Sequence, residues 1–209
     1  MTDVKAEALR YLGVRGEADG ATLALLDRGV KALDAAVSPS FCWRVEKRED
    51  CGAYLVGADI EKHLADCKEV LFFAATLGAS ADRLIRAAEV ENMAYALVLD
   101  SLASAMVERY CDECETEMRE KTGGFFTARF SPGYGDYPIE LQGALLRLLS
   151  AEKRIGLTAT ENHILLPRKS VTAVIGIDRE KAPPKKRSCE SCNLRDRCDF
   201  RRCGGGAVS

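Results

Sequence analysis

From Ala81 to Glu120 the chain runs without a proline, while Leu84, Ile85, Leu97, Leu102 and Met106 recur at helical spacing. One long helix, or two in succession, is the predicted result, and it needs a surface on which to bury its apolar face. The flanking segments supply candidates. Apolar residues at helical spacing over Val4–Leu12 and Ala21–Val37, stopped by Gly13 and Pro39, predict two amphipathic helices at the start. Phe41–Val45 and Ala53–Val56 read as short strands around the polar turn Glu46–Asp50, and Lys68–Leu77 is an apolar run of β type ended by Gly78. These three are expected to form a sheet. Beyond the long helical stretch come a strand at Phe125–Phe130, a turn-rich loop at Ser131–Pro138, a helix at Ile139–Leu149, and strands at Ile164–Leu166 and Ser170–Ile177. Helices and strands alternate irregularly and no phosphate loop is seen, so the expected class is α/β of the α+β kind, an antiparallel sheet packed with helices.

Charge divides the chain. Residues 1–178 carry 21 basic and 28 acidic side chains, whereas 179–203 carry 9 and 4, giving a body of net −7 and a tail of net +5. We therefore read 1–178 as one domain that includes the N-terminal helices, and 179–209 as a basic linker, rich in proline and lysine at Ala182–Arg187, followed by a cysteine-rich tail. No apolar run approaches the roughly eighteen residues needed to cross a bilayer, and Met1–Arg10 lacks the pattern of a signal peptide, so a cytoplasmic location is expected. The acidic body argues against a nucleic-acid partner.

The nine cysteines are unevenly spaced. Cys189, Cys192, Cys198 and Cys203 crowd the tail among Arg195, Arg197, Arg201 and Arg202. Four soft ligands so close together suit a metal, and the arginines would favour the thiolate form. Spacing leaves zinc and an iron–sulfur cluster as open alternatives. Cys111 and Cys114 form a C-x-x-C, but Asp112, Glu113, Glu115 and Glu117 surround it and oppose thiolate formation, against a thioredoxin-like role. Cys42, Cys51 and Cys67 read as small buried apolar residues. His63 and His163 have no cysteine or carboxylate pattern around them and read as structural.

The most informative segment is Arg129-Phe130-Ser131-Pro132-Gly133-Tyr134-Gly135-Asp136-Tyr137-Pro138, between a predicted strand and a predicted helix. Two prolines stiffen it, and its glycines permit close main-chain approach. Arg129 offers a fork for a carboxylate, and Tyr134 and Tyr137 offer faces for a sulfonium or a purine. This segment, with Glu140-Leu141-Gln142, Leu145-Leu146, Arg154-Ile155-Gly156-Leu157-Thr158 and Pro167-Arg168-Lys169-Ser170-Val171-Thr172, resembles the activation (reactivation) domain of cobalamin-dependent methionine synthase across roughly Leu97 to Ile177.

The resemblance implies a C-shaped domain with a bent antiparallel sheet that binds S-adenosylmethionine and supports reductive methylation of cob(II)alamin to methylcobalamin. By position, Arg129 matches the arginine that pairs with the ligand's carboxylate, Gly133 and Tyr134 match the Gly-Tyr of the family loop, and Ser131 takes the place of a small residue making main-chain contacts. Glu108 lies one helical turn beyond a family glutamate near the ligand, at whose position stands Ser104. The family loop continues Pro-Ala-Cys-Pro where this chain has Gly135-Asp136-Tyr137-Pro138, and the family's later ligand-contacting tyrosine is not visible after Ile177. The homocysteine, folate and cobalamin modules are absent, so the resemblance implies a component of the methyltransferase system that works on a partner holding the cobalamin. That partner is a methionine synthase core protein or a related corrinoid protein, with an electron donor protein besides. An iron–sulfur or zinc redox accessory protein, with its centre in the tail, is the alternative.

Overall fold

The computed structural model describes residues 4–180. Two helices, α1 (Val4–Tyr11) and α2 (Gly20–Ala36), lead into strand β1 (Ser40–Lys47). A short helix α3 (Ala58–His63) precedes β2 (Glu69–Thr76), and α4 (Ala79–Glu91) and α5 (Met93–Thr122) follow. The rest comprises β3 (Phe125–Phe126), α6 (Gln142–Leu149), α7 (Ala151–Ile155), β4 (Thr158–Ala159), β5 (Leu165–Leu166) and β6 (Ser170–Asp178). Among the described residues no helix is long and apolar enough to cross a membrane.

The long helical stretch is two helices, broken at Asn92. This residue leaves the helix (φ −156°, ψ 101°) and caps α5 by accepting a hydrogen bond from the Tyr95 N–H at 3.0 Å. The four-stranded sheet is antiparallel, in the order β1-β2-β6-β3. The expected strand at Ala53–Val56 does not form: Ala53 and Tyr54 lie in a turn, Leu55 and Val56 in irregular chain, and β1 pairs directly with β2, Trp43 opposite Phe73. The central place falls to β2 because it is apolar on both faces. Its alternating side chains divide the core, with Leu71, Phe73 and Ala75 packing on Cys111, Cys114 and Met118 of α5, and Val70, Phe72 and Ala74 packing on α3, α6 and α7. A third apolar cluster joins α1, α2 and α4 to the first half of α5 through Ala8, Leu26, Leu33, Ala81, Leu99 and Leu102. The fold is therefore the mixed helix and antiparallel sheet expected from the sequence, with α5 crossing two of its three cores.

The Phe125–Phe130 segment is only partly a strand. Phe126 pairs with Ile177 and Phe130 with Val174, which leaves three residues on this edge against two on β6. One extra residue is a bulge, and it reverses the facing of everything after it. Phe126 consequently lies on the α5 face and Phe130 on the opposite one.

Candidate functional site

The bulge has a chemical result. With Phe130 turned toward α3 and α6, its neighbour Arg129 turns toward α5. It meets an acidic row there: Glu108, Asp112 and Glu115 stand at intervals of four and three, one face of a helix. The Arg129 Nη2 donates to Glu108 at 3.1 Å and to Asp112 at 3.0 Å, and Nη1 donates to Glu115. The pairs differ in exposure. Arg129 and Glu115 are 18% and 16% exposed, while Glu108 and Asp112 are about half exposed at 48% and 53%. Burial alone would lower the pKa of the guanidinium; the charges of Glu115 and Glu108 and the hydrogen bond to Asp112 outweigh it and raise the pKa above the ordinary arginine value. Arg119 approaches Glu115 from the other side at 3.9 Å.

The same face continues toward the start of α5. Ser104, one turn before Glu108, accepts from the Lys169 ammonium at 2.9 Å, and Lys169 also pairs with Asp100 at 2.8 Å. Arg129 and Lys169 thus mark two ends of one polar row. Between them runs the outer edge of β6. Ahead of the Phe130–Val174 bridge no strand pairs with this edge among the described residues. Because Val174 exchanges both backbone hydrogen bonds with Phe130, at 2.9 and 2.8 Å, the N–H and C=O of Thr172, two residues earlier, point to the same side.

The loop after Arg129 is a set of nested turns. The Gly133 N–H donates to the Tyr137 carbonyl at 2.8 Å, the Tyr134 N–H to Ser131 at 3.1 Å and the Tyr137 N–H to Tyr134 at 2.9 Å. Gly133 takes φ 91°, outside the range comfortable for other residues, and a Cβ there would press on Ile139 at 3.3 Å. The two tyrosines have separate fates. Tyr137, expected to face a ligand, is buried: its hydroxyl donates to the Tyr54 carbonyl at 2.8 Å and its ring lies 6.1 Å from Phe130. Tyr134 is 57% exposed, its ring edge-on to Phe130. His63, read as structural, supports this floor, with Nε2 2.8 Å from the Ala128 carbonyl and its ring 5.0 Å from Phe130.

Asp136 fastens the loop to the body. Its carboxylate accepts from the N–H groups of Ala58 at 2.7 Å and Asp59 at 3.0 Å, capping a helix whose own first residues bring no capping side chain. The close approach requires a glycine at position 57. It adopts φ 125°, and a Cβ there would stand 2.9 Å from the Asp136 carbonyl.

The structure therefore brings Arg129 and Glu108 into contact and places Ser131, Gly133 and Tyr134 in the loop that follows. Sequence reasoning missed Asp112, Glu115 and Asp136. The first two were legible as acids in helical register with Glu108. Cys111 and Cys114, the C-x-x-C of α5, are buried, and desolvation raises both thiol pKa values, Cys114 to about 12. The expectation of inert thiols agrees with that environment. Among the described residues no cluster of histidine, cysteine and carboxylate groups could hold a metal. Cys189, Cys192, Cys198 and Cys203 lie outside the described residues.

No family model matches the sequence, and no curated protein matches it. Among solved structures, the reactivation domain of MetH bound to AdoHcy matches with a TM-score of 0.62, over 87% of this chain and 75% of that one, at 15% sequence identity. The chain shares the fold of a MetH reactivation domain.

Proposed function

We propose that this chain binds S-adenosylmethionine beside the Arg129–Tyr134 loop and presents it to a cobalamin held by a partner protein. The observation that carries the reading is a juxtaposition. The fold is shared with a domain solved with AdoHcy, and in this chain Arg129-Phe130-Ser131-Pro132-Gly133-Tyr134 runs beside the unpaired edge of β6, with an arginine fork on one side and a glycine turn on the other.

The ligand's groups match what these residues offer. The carboxylate takes the Arg129 guanidinium. The α-ammonium takes Glu108 and Asp112, which are half exposed and within reach of the same Nη2 atom. The adenosine lies toward Ser131, Gly133 and Tyr134, where main-chain groups and an exposed ring give hydrogen bonds and an apolar face. A methyl on a positive sulfur is already activated, so no general base or nucleophile is required of this chain; its contribution is positioning. The partner's cobalamin, once a donor had reduced it by one electron from cob(II)alamin to cob(I)alamin, would supply the nucleophile for the methyl carbon, while Arg129, Ser131, Gly133 and Tyr134 would hold the sulfonium donor and the S-adenosylhomocysteine that remains when its methyl group has left.

The partner is a methionine synthase core or related corrinoid protein, supplied with electrons by a donor protein. Cys189, Cys192, Cys198 and Cys203 fit a zinc or iron–sulfur site, and an iron–sulfur centre there would serve that electron transfer.

Calorimetric titration with S-adenosylmethionine tests the reading. The native protein is expected to bind, and Arg129→Ala is expected to lose a charge-assisted pair worth about 1.5–3 kcal/mol, roughly tenfold or more in affinity. Arg129→Lys, which keeps the charge among the three carboxylates but not the fork, should fall between. No binding by the native protein, or equal binding by Arg129→Ala, overturns the assignment.

A further inference from the structure

We propose that Glu115 is a positioning residue for ligand recognition: it anchors one side of the Arg129 guanidinium so that the other side can exchange its partners for a ligand carboxylate. This inference rests on the S-adenosylmethionine reading and adds a residue to it.

The three carboxylates around Arg129 are not equivalent. Glu115 takes Nη1 on the sheltered side, where both partners are largely buried, 18% and 16% exposed. Glu108 and Asp112 both crowd Nη2 from the solvent side. A ligand carboxylate entering from solvent meets Nη2 first. Adding it to three fixed carboxylates would place four negative charges on one guanidinium, so binding requires Glu108 and Asp112 to turn toward the ligand's ammonium. Glu115 has no such freedom. It is also 3.9 Å from Arg119, whose guanidinium lies 5.1 Å from the Phe126 ring, which ties the anchor to the sheet.

Without the anchor, Nη1 loses its buried partner and the guanidinium is drawn wholly to Glu108 and Asp112, which then hold it against the ligand. Electrostatic preorganisation of this kind acts through another residue and never touches the ligand.

The experiment compares two ligands on three proteins. S-adenosylmethionine and its decarboxylated analogue differ only in the carboxylate, and their affinity ratio isolates the contact with Arg129. In the native protein the ratio should be about tenfold or more in favour of S-adenosylmethionine. In Glu115→Gln it should fall by at least about threefold, with the analogue's own affinity nearly unchanged. Glu115→Asp, which restores the charge at a shorter reach, should recover part of the ratio and serves if the glutamine variant does not fold. An equal loss for both ligands would mean that Glu115 only supports the fold, and an equal or tighter S-adenosylmethionine complex would mean that it competes with the ligand; either overturns the proposal. Failure of the native protein to bind either ligand instead defeats the parent reading, and this inference with it.

Discussion

Replacing Asp136 by alanine separates the two ways in which the ligand loop is held. The carboxylate accepts two N–H groups from the first turn of α3, across a sequence separation of 78 residues for Ala58. Asp136 is exposed, so water can replace it in part, and the loss should resemble that of a helix cap, about 1 kcal/mol within a range of about 0.5–2. For a chain of this size about 1 kcal/mol corresponds to a fall in Tm of about 2–4 °C. The loop would remain attached through Tyr137, whose buried ring and hydroxyl bond to Tyr54 are untouched. Ligand affinity should nevertheless decline, because Gly133 and Tyr134 are hydrogen-bonded to Tyr137, the residue next to Asp136, and Gly135 would no longer be held against α3. Asp136→Asn keeps one acceptor oxygen and should fall between. Thermal and urea melts with S-adenosylmethionine titrations provide the measurements. If Asp136→Ala melts within about 1 °C of the native protein and binds the ligand equally well, Tyr137 alone fixes the loop and the capping argument is wrong.

Alkaline pH should destabilise the protein ahead of general unfolding. Desolvation, with help from Glu46 and Asp50, raises the Cys51 thiol from 9.0 to about 11, and desolvation with Glu117 and Glu113 raises Cys114 to about 12. A thiol that ionises more readily unfolded than folded favours the folded state fully below its unfolded pKa and loses that contribution as pH climbs toward the folded value. Urea melts should therefore show stability falling from about pH 9, by up to about 1.4 kcal/mol per pH unit for each thiol, and Cys51→Ala should flatten the slope; a flat profile to pH 10.5 would refute it. For the tail, anaerobic purification followed by iron and acid-labile sulfide analysis should find both if the four thiols carry an iron–sulfur centre; absence of both rejects that centre and leaves zinc to be measured.

Local patterning determined most of the elements by itself. Period-3.6 apolar spacing located α1, α2 and the α4–α5 stretch, and the apolar run within Lys68–Leu77 specified the strand that became β2, because burial leaves a trace in the sequence whatever the partner is. Turn chemistry also located the loop, since prolines and glycines restrict the backbone residue by residue. The partners were not legible. Ala53–Val56 has strand composition but does not pair: β2, its expected companion in the sheet, has β1 and β6 on its two edges. Only the extra residue between Phe126 and Phe130 turns Arg129 toward α5, and a one-residue register change is invisible to any pattern confined to one strand. The capping of α3 by Asp136, the burial of Tyr137 and the sheltering of Glu115 are likewise meetings of residues distant in sequence. The sequence specifies which groups can interact; the tertiary structure decides which do, because the free energy of a charge or a hydroxyl depends on the neighbours and the solvent exposure that folding gives it.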